Sequence, residues 1–167
     1  MVHPLMKTLA RFNGWTNTRL YESCARLSDI DYKRDRKAFF GSIHNTLNHI
    51  LVVDRLFRGR IEGWKPEIKT LDQILHADFD ALRAARVAED TALVRMVDGL
   101  DPKRLAQPLK YAFLDGTPAE TPLDLVLLTM FNHQTHHRGQ VHAMLTQAGI
   151  KPPPLDLIDF HMSEGRA

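Results

Sequence analysis

One cysteine stands in 167 residues, so Cys24 can close no internal disulfide and no multi-cysteine metal site is available. A reducing, cytoplasmic setting is the default for such a chain. Charge of one sign is lacking as well: 22 Lys and Arg face 20 Asp and Glu, and the basic residues are dispersed. That argues against the basic stripe of a nucleic-acid surface, so no nucleic-acid partner is expected. Long hydrophobic runs are missing too. No window approaches the ~20 apolar residues a membrane helix needs, and no membrane partner is expected. The start, MVHPLMKTLARFNGW, interrupts its apolar residues with Lys7 and Arg11 and reads as neither a signal nor a transit peptide. There is no internal repeat and no low-complexity tract.

What is present is an ordinary core-forming composition, 44% hydrophobic and 25% charged, enough for residues 1–167 to form one domain. Helical periodicity dominates. The first predicted helix runs from about Pro4 to Leu27, with Leu5, Leu9, Phe12, Leu20 and Cys24 at three- and four-residue steps. The second runs from about Arg36 to Arg58, and the third from about Leu71 to Val97, with Thr70 and Gln73 as a capping pair and a bend allowed near Glu89 and Asp90. Residues 103–121 do not read as helix; LKYAF and the residues after Asp115-Gly116 suggest a short β-hairpin, limited by Pro108 and Pro118. The last helix starts with Thr121 as N-cap and Pro122 in its first position, and ends near Ala148 before Gly149. Four long helices with one apolar side each predict an all-α four-helix bundle with a hairpin between the third and fourth.

The stretch FNHQTHHRGQVHAML, residues 131–145, holds four of the nine histidines. His133 and His137 are four apart, on one face with Val126, Met130, Val141 and Met144, so they point toward the core. Such a pair can bind one divalent metal, the geometric logic of the zincin helix, but Gln134 stands where that motif has its glutamate, so a protease is excluded. A third ligand must come from another helix. His49, at the edge of the second helix's apolar side, is the best candidate. Asp54 is an acidic competitor, better suited as a hydrogen-bond acceptor behind a ligand or for the Trp15 indole N–H. Gln140 is placed to hydrogen-bond a bound group; Arg138 can hold an anionic substrate group or pair with an acid. Two hydrogen-bonded core histidines remain the competing reading, since neutral imidazole is often buried. Cys24 reads as a small core residue, Trp15 and Trp64 as packing residues, and His3, His44, His76 and His161 as surface or structural groups.

Three segments together resemble the DinB-like family of metal-binding bundles, which includes the YfiT-type proteins: RFNGWTNTRL in the first helix, FFGSIHNTLNHILVVDRLF in the second and NHQTHHRGQVHAML in the fourth. The resemblance covers nearly the whole chain. It implies helices in up-down-down-up order and a divalent metal, usually nickel or zinc, held by His49, His133 and His137. It also implies a homodimer. Characterised relatives activate a low-molecular-weight thiol for transfer or isomerisation. The expectation is therefore a three-histidine open site serving a thiol-dependent S-transferase or isomerase, with a non-catalytic metal-stabilised, stress-related binding protein or a metal-dependent hydrolase as alternatives.

Overall fold

The computed structural model describes residues 4–164, so His3 lies outside the described residues. The elements are α1 (Pro4–Cys24), α2 (Asp29–Lys33), α3 (Ile43–Glu62), α4 (Phe79–Gly99), α5 (Pro102–Leu105), β1 (Pro108–Ala112), β2 (Pro118–Pro122), α6 (Leu123–Gln147) and α7 (Leu157–Glu164). Helices α1, α3, α4 and α6 form the four-helix bundle. Each of α1 and α6 packs against the other, and each of α3 and α4 does the same, with α1·α4 and α3·α6 closing the ring. None of the described helices is long and apolar enough to cross a membrane.

Two apolar clusters give the helix directions. One joins Met6 and Ala10 of α1 to Leu93 and Val97 of α4 and Leu127 and Met130 of α6, with Phe57 and Ile61 of α3 packed against it. The other joins Leu20 and Cys24 to Ile43 and Leu47, Leu82, and Val141 and Met144. So α1 and α6 run one way and α3 and α4 the other, in up-down-down-up order. A hairpin, β1 against β2, crosses between α4 and α6 with Leu109 opposite Thr121 and Tyr111 opposite Ala119.

Several boundaries differ from the sequence expectation, each for a local reason. α1 stops at Cys24, three residues short of Leu27. The polar stretch after it contains α2, capped by Ser28. Residues 36–42 are not helical: Arg36 N–H donates to the Gly41 carbonyl at 2.7 Å, Gly41 takes φ +78, and Ser42 caps α3 instead. α3 then runs beyond Arg58 to Glu62, where Gly63 at φ +83 returns its N–H to the Gly59 carbonyl. α4 begins at Phe79 behind the Asp78 cap, not at Leu71 behind Thr70. The cause is Asn48 of α3, whose Oδ1 accepts from the N–H groups of Leu75 and His76 at 2.9 and 3.0 Å and so removes donors that a helix start would use. α4 continues to Gly99 through Glu89 and Asp90 as one helix. The Pro102–Leu105 turn, capped by Asp101, is helical where none was expected. Thr121 lies in β2, so α6 starts at Leu123 with no side-chain cap. The tail docks through α7, whose buried Phe160 meets the Phe12 and Trp15 rings at 5.8 Å each.

Between the apolar clusters lies a buried polar layer that touches all four bundle helices. Asp54 of α3 pairs with Arg86 of α4, and Arg86 Nη2 is 2.9 Å from Asp90. Asp90 accepts from Asn13 and Asn17 of α1 at 3.0 and 2.9 Å. Arg138 of α6 donates to Asn13 and, at 3.0 Å, to Gln134, which also accepts from Asn17. Two cations and two carboxylates balance, and Asp54 and Arg86 are 0% and 2% exposed. Burial pushes the Asp54 carboxyl up to about 7 and Asp90 upward too, while Arg86 pulls both down. Without Arg86 both acids would be left buried against nothing cationic on α4. Arg86→Met should therefore cost about 3–5 kcal/mol in urea unfolding, and adding Asp54→Asn to it should recover part of the loss. At the end of α3, a Cβ on Gly59 would come 2.6 Å from the Trp64 carbonyl oxygen. Gly59→Ala should lower stability by about 1–3 kcal/mol in the same assay, against its helix propensity, because the clash is with backbone.

Candidate metal centre

The polar layer and the histidines share the same helices but face different ways. On α6, Gln134 and Arg138 each follow a histidine by one residue, so each pair is turned by ~100°. Gln134 and Arg138 enter the core, while His133 and His137 face α3. On α3, Asp54 and His49 are five residues apart and diverge by ~140°. With Asp54 in the core, His49 meets the α6 imidazoles at the α3–α6 seam.

His49, His133 and His137 each offer one ring nitrogen, all within 4.8 Å of one another. His49 Nε2 and His133 Nε2 are 3.0 Å apart. Nitrogen ligands at about 2.0–2.1 Å from one metal stand about 2.9–3.4 Å from each other, so that spacing suits a shared cation. The outer ring nitrogens fix the tautomers. His49 Nδ1 lies 2.8 Å from the Leu71 carbonyl, which can only accept, so Nδ1 carries the proton and Nε2 its lone pair. His137 Nδ1 donates to Gln140 Oε1 at 2.9 Å, and Gln140 Nε2 donates to His136 at 3.2 Å, leaving His137 Nε2 free. His133 Nδ1 is buried without a hydrogen-bond partner. Wherever His133 carries its proton, one nitrogen is left unsatisfied, which a cation at Nε2 relieves in part. Burial, with the neighbouring imidazoles, pushes His133 down to about 3, and burial lowers His49 and His137 as well. All three rings are neutral near pH 7, the state a metal needs. The donor set fits a divalent cation.

The surroundings are asymmetric. The Phe40 ring stacks on His49 at 3.9 Å and meets His137 edge-on at 5.6 Å, covering one side. Asn48 holds the 71–78 segment down, and with it the Leu71 carbonyl. On another side His49 and His133 open into a cleft of 480 Å³, walled by Val53, Phe57 and Leu114 and reaching Arg60.

The remaining expected residues fall as follows. Asp54 is not beside the imidazoles and does not serve Trp15; it is committed to Arg86. Arg138 is buried on neutral oxygens of Asn13, Gln134 and Thr135 and faces no cleft beside the histidines, so it is not free to hold a substrate anion there. Burial brings its pKa down to about 10. Gln140 orients His137. His44 is buried edge-on to Tyr32, and half-buried His142 donates to the Pro153 carbonyl, tying down the tail. Sequence reasoning missed Phe40, the Leu71 carbonyl and Arg60. It also missed the polar layer, although Asn13/Asn17, Arg86/Asp90 and Gln134/Arg138 repeat the four-residue spacing that singled out the histidines.

Comparison with known proteins agrees with this architecture. A curated relative, Protein DinB of Bacillus subtilis (strain 168), is 25% identical over 164 residues, covering 89% of this chain and 88% of its own. A DinB-like protein from Bacillus cereus ATCC 10987, known as a crystal structure, superposes with a TM-score of 0.64 at 22% identity, over 84% of this chain and 90% of that one, which bears on the fold alone. The DinB family model matches residues 1–167, and the chain, with its four-helix bundle and a three-histidine group able to hold a metal, belongs to the DinB family.

Proposed function

We propose that the chain is a metal-dependent enzyme in which His49, His133 and His137 hold a nickel or zinc ion and a low-molecular-weight thiol reacts with a small electrophile, by S-transfer or thiol-assisted isomerisation. The observation that carries this is the convergence of three neutral imidazoles beside an apolar cleft, with no carboxylate or fourth protein ligand joining them among the described residues. A three-ligand set leaves a coordination position for an exchangeable group. A divalent cation there supplies Lewis acidity, lowering the pKa of a thiol or water placed beside it.

The residues of this chain supply the rest. Leu71 and Gln140 keep two rings in the tautomers that present Nε2 inward. Phe40 keeps water from one flank, and the walls of the cleft keep it from a bound organic group. Gln134 stands where a metalloprotease helix carries its glutamate base, and it is buried in the polar layer. That favours a thiol over water as the nucleophile: a thiol ionises at about 8.5 unaided and needs only modest acidification to react near neutrality.

A second reading is a metal-stabilised binding protein, favoured by the way the three ligands bridge α3 to α6. Homodimerisation belongs to our reading as well; Leu125 and Leu128, 50% and 46% exposed on α6, offer apolar surface for it. Sedimentation at micromolar concentration should give twice the monomer mass, and a monomer would remove this part.

Elemental analysis of purified protein should find about one nickel or zinc per chain, and a chelator should lower the melting temperature. Thiol-dependent turnover of an electrophile panel should be present in wild type and lost in His137→Ala. Metal without turnover across the panel would leave the binding-protein reading standing. Gln140→Leu should weaken metal affinity by about 10–100-fold while leaving the bundle folded, as judged by circular dichroism.

A further inference from the structure

The cleft beside the histidines ends on a cation with no counter-ion. Arg60 follows His49 by eleven residues on α3, which is about 16 Å along the axis and almost the same face. Arg60 lines the same cleft as His49 and His133, and the helical rise with the N-terminal lean of helical side chains sets the span between them at roughly 10–16 Å. Its position is fixed by aromatic packing. The guanidinium carbon lies 4.7 Å from the Tyr111 ring centre, 5.6 Å from Phe57 and 5.8 Å from Phe113. One N–H group donates to the Ala112 carbonyl at 3.1 Å. Among the described residues no carboxylate lies within 4.0 Å of it. Asp115 also borders the cleft, but its Oδ1 accepts from the Thr117 N–H within the hairpin loop.

The charge beyond Arg60 has the same sign. An adjoining cleft of 690 Å³ shares Arg60 and adds Lys65 and Lys69, together with Lys110, which pairs with Glu120 at 3.8 Å; no acid lines that cleft. A half-buried guanidinium held rigid on aromatic rings, with donors unspent and a cationic rim behind it, is a receptor for a planar anion.

We propose that Arg60 is the specificity-determining residue of the histidine centre and binds a carboxylate at the far end of the substrate or thiol, about 10 Å or more from the atom that reaches the imidazoles. This rests on the function proposed above. It defines the ligand class as an organic acid with an apolar middle: Val53, Phe57 and Leu114 contact the body, and Arg60 takes the acid. Arg60 acts in binding and selection, not in bond making.

The test uses calorimetry on zinc-loaded and metal-free protein, with mercaptoundecanoate and its primary amide as long probes and mercaptoacetate with its amide as short ones. In wild type the long acid should bind about tenfold or more tighter than its amide in both metal states, the worth of one charge-assisted contact. Arg60→Met should reduce that preference to about twofold or less, and Arg60→Lys, a point charge without the planar fork, should keep an intermediate value. The short pair cannot span the cleft, and its preference should not change with Arg60. Equal binding of long acid and amide in wild type, or a preference unchanged in Arg60→Met, overturns the proposal. The metal reading fails separately: zinc would then give no gain in affinity for either thiol while the acid-over-amide preference stayed. Circular dichroism and zinc content of both variants, at wild-type values, exclude a folding defect.

Discussion

Arg86 is the residue on which the arrangement depends. It sits 2% exposed at mid-bundle between two acids on two helices, and the second acid is held from α1 by two asparagines. Apolar side chains tolerate sliding and rotation, whereas a buried guanidinium must find its oxygens at hydrogen-bond distance. The layer therefore fixes the depth and rotation of α3, α4, α1 and α6 together. Once Asp54 and Gln134 are committed to it, helix geometry leaves His49, His133 and His137 only the α3–α6 seam.

The candidate metal centre is thus built on helices and finished in part by an irregular segment. The imidazoles come from helices, where spacing and rotation are set. Their outer partners differ in kind: a backbone carbonyl at Leu71, in the segment that Asn48 holds at Leu75 and His76, and an amide one turn along α6 at Gln140. Phe40 and the hairpin tip decide what can approach. The segments most awkward to read as secondary structure, 34–42 and 63–78, are the ones that shape the site's surroundings: the first closes on itself through the Arg36 and Gly41 N–H groups, and the second is tied to α3 by Asn48 at Leu75 and His76 and by His49 at Leu71.

The same division runs through Arg60. It stands one helical stripe along from His49, yet nothing in its sequence neighbourhood, RLFRGRIEGW, separates it from Arg55 or Arg58. Those two face Glu89 on α4 at 3.7 Å and closer, while Arg60 falls on the cleft side, against the hairpin.

The sequence by itself determined the bundle, its hairpin and the candidate ligands. Apolar periodicity of 3.6 is a local property, and an i, i+4 pair of imidazoles on a core-facing stripe is visible without coordinates. It also carried the signal of the polar layer in three more such pairs, but pairs of amides and of opposite charges are common on solvated faces, so only burial identifies them. Tertiary structure alone decided the partners: that Asp54 belongs to Arg86, that Arg138 reaches the Asn13 amide, and that Asn48 unwinds the expected start of α4. These contacts join residues from 27 to 125 positions apart. No periodicity encodes which of several suitable donors reaches a given acceptor once the helices have closed.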